Sequence, residues 1–271
     1  MTLAGLGTDV EWPDSEASTA VREELVSRPE LGRLATLAEW IAGVRPPGAE
    51  FDKARLVVVG TEASELVLDT AEAVGAEVTG TPTDGGFEAG VALADGAADR
   101  GTEVLIVAAP QMRADAAIAV AVLTGTEPVK VLARGAAATD PEAWMQFAVE
   151  VRDARRRCMP HHDEPDDLLA ELDSPRLALI AALVLRAAAR RTPIVLDGAV
   201  ACAGALLAYE AAPRAVRWWS AADQGPDPLH EIALSRLGQE PILGLGTGLG
   251  DGLAGLLALP VLRAGIALSS G

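Results

Sequence analysis

The chain alternates short, wholly apolar runs with longer segments in which apolar residues recur every three to four positions. The first apolar run, Arg55 to Gly60, reads RLVVVG. A run without polar alternation predicts a strand buried on both faces of a parallel sheet, and the recurrent pattern predicts the helices between strands. The predicted fold is therefore α/β, a doubly wound and mostly parallel sheet of about six or seven strands. The predicted strands are 55–60, 76–79, 103–109, 129–133, 193–196, 216–221 and 242–245.

Two amphipathic helices precede the first predicted strand. Asp14 or Ser15 provides an N-cap for the first helix, and the second follows Pro29. The segment RPPGAEFD at 45–52 then breaks the pattern. We expect residues 1–50 to form a helical arm or small subdomain and residues 51–271 a Rossmann-like α/β domain. The last helix of that domain is a candidate to pack on the arm.

Composition narrows the function classes. The 271 residues are 50% hydrophobic, enough for a full core, and the net charge of −17 argues against binding to nucleic acid or an anionic membrane. No apolar run is long enough to span a bilayer and no secretion signal is present, so we expect a cytoplasmic protein. Cys158 and Cys202 lack metal-ligand spacing and are interpreted as ordinary reduced thiols. Neither a metal nor a cofactor is predicted.

Acidic side chains follow three of the predicted strands. Ligands of doubly wound sheets bind beyond the carboxyl ends of the strands, so we expect Asp197, Asp223 and Asp251 to face one cleft. Such a cleft suits a cationic or hydrogen-bonding substrate, or a base that removes a proton. The alternative is that Asp197 and Asp251 only cap the helices that follow them. Arg113 and Arg134 are candidate phosphate contacts, or else solvated side chains.

The last predicted strand runs into a glycine-rich turn and an apolar helix, PILGLGTGLGDGLAGLLALP at 241–260. Asp251 is the one charged residue of this turn, and Gly250 and Gly252 flank it, so backbone can approach a ligand closely. The aspartate is either a catalytic base or a helix N-cap. Neither the G-x-G-x-x-G nor the G-x-x-x-x-G-K-[ST] nucleotide motif is present.

Two adjacent histidines, His161 and His162, precede an acidic run at 163–167. Adjacent side chains point apart on a helix or strand, so we interpret this segment as a solvated acidic loop and not as a metal site. His230 lies near the start of a predicted helix, and we expect it on the face of that helix.

Several segments in shared order give the chain a resemblance to a known family. They are RRTPIVLDG at 190–198, RWWSAADQGPDPLH at 217–230 and LGQEPILGLGTGLGDGLAGLLALPVL at 237–262. Weaker agreement covers 29–43, 88–107 and 122–135. The chain resembles the nicotinate-nucleotide:dimethylbenzimidazole phosphoribosyltransferases, the CobT family of cobalamin assembly, as a shortened and divergent member.

The resemblance implies an enzyme that joins 5,6-dimethylbenzimidazole, or a related base, to the phosphoribosyl group of nicotinate mononucleotide and releases nicotinate. It places Asp251 where the family has a glutamate that serves as general base. Aspartate is shorter by about 1 Å, and such a displacement can cost a rate factor of about a hundred. The substrate-binding residues implied are Gly250, Gly252, Asp197, Gly198, Asp223, Gln224, Arg134 and Gly135.

The departures from the family fall on the ligand side of the predicted sheet. The family's phosphate loop, E-x-G-x-G-N-T-T, is replaced by APQMRADA at 109–116, where Pro110 removes an amide donor and Asp115 would repel phosphate. Of the family's G-R-G-T-G, only the central Arg134-Gly135 pair is kept. The family's G-H-R-S becomes Ala222-Asp223-Gln224-Gly225.

Two hypotheses follow. In the first, the chain is an active phosphoribosyltransferase with small-molecule substrates, its activity weakened or redirected to another substrate. In the second, it is a non-catalytic homologue that partners or regulates an active paralogue. A homodimer, or a heterodimer with a paralogue, is expected in either case.

Overall fold

The fold was obtained as a computed structural model, which describes residues 1–81, 85–110, 114–133 and 140–269. Within these residues, five parallel strands form one sheet in the order β2-β1-β3-β4-β5. The strands are β1 (Ala54–Val59), β2 (Ala76–Thr81), β3 (Val104–Ala108), β4 (Ile194–Asp197) and β5 (Trp219–Ala221). The predicted α/β class and parallel sheet are confirmed.

The strand count is lower than the six or seven predicted, because two of the predicted strands adopt other structures. Residues 128–131 form a short helix, and Pro128 supplies the fixed φ that favours the first position of a helix. Ile242 and Leu243 donate to the carbonyl oxygens of Ala221 and Ala222, each at 2.8 Å. The chain then turns away, because the amides from Leu245 onward donate to a carboxylate described below.

Helices connect the strands and flank the sheet. In chain order they are α1 (Leu3–Gly7), α2 (Ser15–Leu25), α3 (Arg33–Val44), α4 (Glu65–Val74), α5 (Gly86–Asp99), α6 (Ala114–Leu123), α7 (Pro128–Val131), α8 (Pro141–Cys158), α9 (Pro165–Leu172), α10 (Pro175–Ala189), α11 (Ala199–Ala211), α12 (Pro228–Leu237) and α13 (Leu253–Ser269). Short 3₁₀ turns lie at Pro29–Leu31, Met159–His161 and Pro213–Trp218. Among the described helices, none has the length and apolar content to cross a membrane.

Both faces of the sheet are buried, which explains the uninterrupted apolar runs. Leu56 and Ile106 point to the face covered by α3, α4 and α13. Val57 and Leu105 point to the opposite face, covered by α5, α6, α10 and α11. The alternation along each strand therefore sorts the chain into two helical layers around one sheet.

Helices α2 and α3, between α1 and β1, pack on each other and on the last helix, α13. Val21 and Leu25 of α2 meet Ala38 of α3, and Leu268 of α13 packs against this cluster. Trp40 of α3 donates its indole N–H to the carbonyl oxygen of Arg217 at 3.0 Å, which ties α3 to the region before β5. The division into residues 1–50 and 51–271 stays a prediction.

Candidate functional site

The glycine-rich loop at 244–252 lies across the carboxyl ends of β3 and β4. A Cβ placed at Gly250 would lie 3.4 Å from Gly198 Cα and 3.8 Å from the carbonyl oxygens of Ala109 and Asp197. Ala109 and Asp197 end or follow these two neighbouring strands. The strand order changes direction between β1 and β3, and ligands of doubly wound sheets bind at such a switch point. The loop therefore borders the place where a ligand is expected.

Three of the glycines lie where a side chain would be obstructed or would strain the backbone. Gly198 has φ +87°, and a Cβ there would lie 2.5 Å from Gly250 Cα. Gly252 has φ +102°, and a Cβ there would lie 2.5 Å from the side chain of Leu56. Gly250 itself has φ +59°. The structure thus brings the predicted Gly198, Gly250 and Gly252 together, and no side chain stands between the two backbones.

Asp197, the last residue of β4, is 3% exposed and does not cap the helix that follows it. Its Oδ2 accepts from the backbone N–H of Gly255, at 2.9 Å, in the first turn of α13. Burial, together with the charges of Asp251 and Asp223, raises the pKa of Asp197 to about 6, although the amides of Gly255 and Ala254 oppose the shift. The carboxylate is therefore a clamp between β4 and the start of α13.

Asp223 follows β5 and is 2% exposed. Its Oδ1 accepts from Leu245 N at 2.8 Å, and its Oδ2 accepts from Thr247 N at 2.7 Å and from Thr247 Oγ1 at 2.8 Å. Burial alone raises the pKa of this carboxyl, but the bonds from Thr247, Leu245 and Gly246 outweigh it and lower the pKa from 3.8. An ionised Asp223 therefore holds the first part of the glycine-rich loop.

Asp251 is half-buried at the end of the same loop. Its Oδ1 accepts from Leu253 N at 3.1 Å, at the beginning of α13. The predicted alternative of a helix cap is thus present in the structure, while Oδ2 has no hydrogen bond among those the structure gives for the described residues. Because the charges of Asp251 and Asp223 both act on Asp197, the three acids form one electrostatic group, although Asp197 and Asp223 are buried and Asp251 follows a loop and not a strand.

His230 belongs to this group, although the sequence pattern placed it only on a helix face. It is 3% exposed in α12, and its Nδ1 accepts from Gly225 N at 3.2 Å. Burial lowers the pKa of His230 to about 4 although Asp223 opposes the shift, so the ring is neutral at neutral pH. Gly225 in turn touches the glycine-rich loop, because a Cβ there would lie 2.5 Å from Thr247 O. The one feature of the sequence that connects His230 with this loop is its place shortly after Asp223.

Of the other predicted site residues, the structure describes Gln224. Gln224 is exposed. Arg134, Gly135 and Arg113 lie outside the described residues.

One side-chain cluster elsewhere has metal-ligand character. His161, Glu164 and Asp167 each place one ligand atom within 4.8 Å of the others. These atoms suit a divalent cation such as Zn²⁺. The residues lie at the α8–α9 junction and not at the glycine-rich loop.

Two cavities open elsewhere on the described chain. A cavity of about 1340 Å³ lies between α2, α3 and the edge of β5, and Trp40, Tyr209 and Trp219 line it. The glycine-rich loop does not contribute to that lining. A second cavity of about 480 Å³ lies where α6 and α10 begin, on the carboxyl side of the sheet. Size alone therefore does not identify the site, and the loop's place at the switch point is the stronger indication.

The chain is similar to known phosphoribosyltransferases. A phosphoribosyltransferase family model matches residues 73–271. A nicotinate-nucleotide:dimethylbenzimidazole phosphoribosyltransferase of Streptomyces avermitilis is 40% identical over 186 residues, covering 68% of this chain and 50% of that protein. The Streptomyces coelicolor protein of that name is 33% identical over 298 residues, covering 96% and 83%. The chain thus spans about half the length of the first relative and most of the second.

The fold is shared with a solved structure. The crystal structure of CobT from Thermus thermophilus superposes with a TM-score of 0.77, covering 94% of this chain and 96% of that one, at 23% identity.

Proposed function

The chain belongs to the nicotinate-nucleotide:dimethylbenzimidazole phosphoribosyltransferase family, and we propose that it transfers a phosphoribosyl group from nicotinate mononucleotide to dimethylbenzimidazole or a related base. The product is the nucleotide of the cobalamin lower ligand. The observation that carries the proposal is the position of Asp251, which the glycine-rich loop holds beside the carboxyl ends of β3 and β4.

The reaction exchanges one N-glycosidic bond for another. A nitrogen of the incoming base forms a bond to C1′ of the ribosyl group. The bond from C1′ to the pyridinium nitrogen breaks, and nicotinate leaves with the electron pair as a neutral pyridine ring. The incoming imidazole loses its N–H proton, for which the Oδ2 of Asp251 is the proposed acceptor.

The backbone around Asp251 is held against the ends of the strands. Gly198 and Gly250 pack backbone to backbone, which brings the loop that carries Asp251 onto the end of β4. Asp223 and His230 fix the other part of the loop. These contacts set the position of Asp251 before substrate arrives, and such preorganisation favours general-base catalysis.

The experiment is a turnover assay with nicotinate mononucleotide and dimethylbenzimidazole, with chromatographic detection of nicotinate and α-ribazole phosphate. Asp251→Asn is the sharpest variant, because asparagine can still accept from Leu253 N but cannot take up a proton. We expect it to fold like the wild type and to lose turnover by about 100-fold or more. Asp251→Glu restores the longer reach and is expected to keep activity.

Full turnover by Asp251→Asn would remove Asp251 from the mechanism. No turnover by the wild type, with no calorimetric binding of the mononucleotide, would overturn the proposed reaction. Co-purification with an active paralogue would then support the non-catalytic hypothesis.

A further inference from the structure

Three side chains come together at the junction of α8 and α9. His161, Glu164 and Asp167 each place one ligand atom within 4.8 Å of the other two. An imidazole nitrogen and two carboxylate oxygens form a donor set that divalent transition-metal ions such as Zn²⁺ accept. None of the three side chains has a part in the phosphoribosyl transfer proposed above.

The backbone between the two helices brings these positions to one side of the chain. The 3₁₀ turn Met159–His161 leads into a turn in which Glu164 N donates to the carbonyl oxygen of His161 at 3.0 Å. Such a turn makes residues three apart neighbours. Glu164 is also the N-cap of α9, which begins at Pro165, and Asp167 lies in the first turn of that helix. Glu164 therefore lies beside both His161 and Asp167.

The neighbouring histidine has other contacts. His162 Nε2 lies 3.0 Å from Asp163 Oδ2, and its Nδ1 lies 3.2 Å from the carbonyl oxygen of Met159. The ring of His161 instead meets carboxylates three and six residues further along the chain. His162 thus provides a matched control for His161.

The donors of the set are open to a ligand. The Nδ1 atom of His161 is buried and has no hydrogen-bond partner among the described residues, whereas buried polar atoms nearly always have one. The exposed carboxylates of Glu164 and Asp167 make no hydrogen bond or ion pair within the described ranges. Asp166, between them, accepts from Leu3 N at 2.7 Å. An unpartnered nitrogen beside two unpaired carboxylates distinguishes this set from an ordinary acidic surface.

The geometry allows one ion to reach all three side chains. Zinc bonds of about 2.0–2.2 Å place two ligand atoms of a tetrahedral ion about 3.4 Å apart. The ligand atoms here lie within 4.8 Å of one another, and both carboxylates are exposed, so rotation of their side chains closes the remaining gap. Water completes the coordination, as it does where a protein supplies three ligands.

We propose that His161, Glu164 and Asp167 bind one divalent transition-metal ion of the Zn²⁺ class, which ties the turn after α8 to the first turn of α9. The proposal does not depend on the proposed function. Helix α9 buries Leu168 in the core, and its Asp166 accepts from the first amides of α1. The bound ion therefore stabilises a junction to which α1 is also attached.

The test measures Zn²⁺ binding to the untagged protein by calorimetry, after removal of metal with a chelator and dialysis into a buffer that does not bind zinc. We expect one ion per chain, bound about tenfold or more weakly by His161→Ala and within about twofold of the wild type by His162→Ala. Glu164→Gln and Asp167→Asn carry the same expectation as His161→Ala. Their control is Asp163→Asn, which removes an equal charge from the same segment.

Metal selectivity separates this site from general attraction to an acidic chain. The net charge of −17 attracts any divalent cation, but Mg²⁺ prefers oxygen ligands and gains little from an imidazole. We expect Zn²⁺ at about 100 times its Kd to raise the melting temperature of the wild type and of His162→Ala by about 3 °C or more. Mg²⁺ at the same concentration should change it by less than about 1 °C, and His161→Ala should lose most of the response to Zn²⁺.

Absence of Zn²⁺ binding by the wild type would overturn the proposal, and this measurement needs no variant to fold. Equal losses of affinity in His161→Ala and His162→Ala, or in Asp167→Asn and Asp163→Asn, would reduce the binding to net charge and overturn it as well. An equal response to Mg²⁺ and Zn²⁺ would do the same. If His161→Ala does not fold, the variants at the exposed Glu164 and Asp167 still decide the outcome.

Discussion

Asp197 and Asp223 end or follow the neighbouring strands β4 and β5, and they are equally buried, at 3% and 2% exposure. Their pKa values nevertheless move in opposite directions, because burial raises the pKa of Asp197 to about 6 while hydrogen bonds lower the pKa of Asp223. The difference has two causes: the charges of Asp251 and Asp223 raise the pKa of Asp197, and the two carboxylates receive different hydrogen-bond donors. Thr247 and Leu245 give Asp223 three close hydrogen bonds, whereas Asp197 has one close amide, that of Gly255.

Asp223 therefore holds the first part of the glycine-rich loop, and Asp197 holds the helix turn that follows the loop. Asp223 is a charged anchor for residues 245–247, and Asp197 clamps the first turn of α13 at 255. Asp251 lies between the two anchors. Burial alone does not determine whether an acid is ionised, since the number of donors aimed at it decides the sign of the shift.

The largest effect is expected from removing the charged anchor. Asp223→Ala leaves the amides of Leu245 and Thr247 without their acceptor, and at about 1–3 kcal/mol per unmade bond we expect a loss of about 4 kcal/mol in the free energy of unfolding. Urea denaturation measures this loss. The control is Asp227→Ala, which removes a carboxylate that accepts one amide, from Leu229, as the N-cap of α12. It is expected to cost about 1 kcal/mol, and equal losses would contradict the anchor role of Asp223.

The next effect concerns the neutral imidazole beside Asp223. Burial lowers the pKa of His230 from 6.5 to about 4, so between these values the unfolded chain binds more protons than the folded one. Stability from this group is lost as the pH falls from 6.5 to about 4, by about 3.5 kcal/mol at about 1.4 kcal/mol per pH unit. His230→Gln has no imidazole to protonate, so it should not show this loss of stability. Urea denaturation of the wild type and of His230→Gln at several pH values measures the difference. Stability curves that stay parallel as the pH falls would contradict the prediction.

The apolar runs of the sequence predicted the positions of the central strands. The buried runs of β1, β3 and β4 lie where the apolar runs are, because a strand covered on both faces excludes polar residues. The closeness of Asp197 and Asp223 followed from the rule that parallel strands present their carboxyl ends to the same edge, whereas Asp251 reaches them through the loop that Asp223 holds.

The partners of these acids could not be predicted in the same way. Asp197 binds an amide 58 positions further along the chain, and Asp115 pairs with Arg176, 61 positions away. Such contacts depend on the path of a loop after the sheet has formed, and no periodicity encodes that path. The alternative that Asp197 caps the helix after it was wrong for this reason. The carboxylate accepts from the first turn of α13 and does not cap α11.

The smallest of the three expected effects concerns Asp197. The pKa of Asp197 is raised from 3.8 to about 6, so the folded chain binds more protons than the unfolded chain in this window. Stability therefore falls as the pH rises through this window, in the opposite sense to His230.

Asp197→Asn keeps an oxygen to accept from Gly255 N but cannot ionise. We expect the free energy of unfolding of Asp197→Asn to rise by about 3 kcal/mol relative to that of the wild type between about pH 4 and pH 7, measured by urea denaturation. Asp197→Leu, which lacks the acceptor, should be destabilised at both pH values. If the stability difference between Asp197→Asn and the wild type did not change with pH, the pKa of Asp197 would not be raised. The contrast between Asp197 and Asp223 would then disappear.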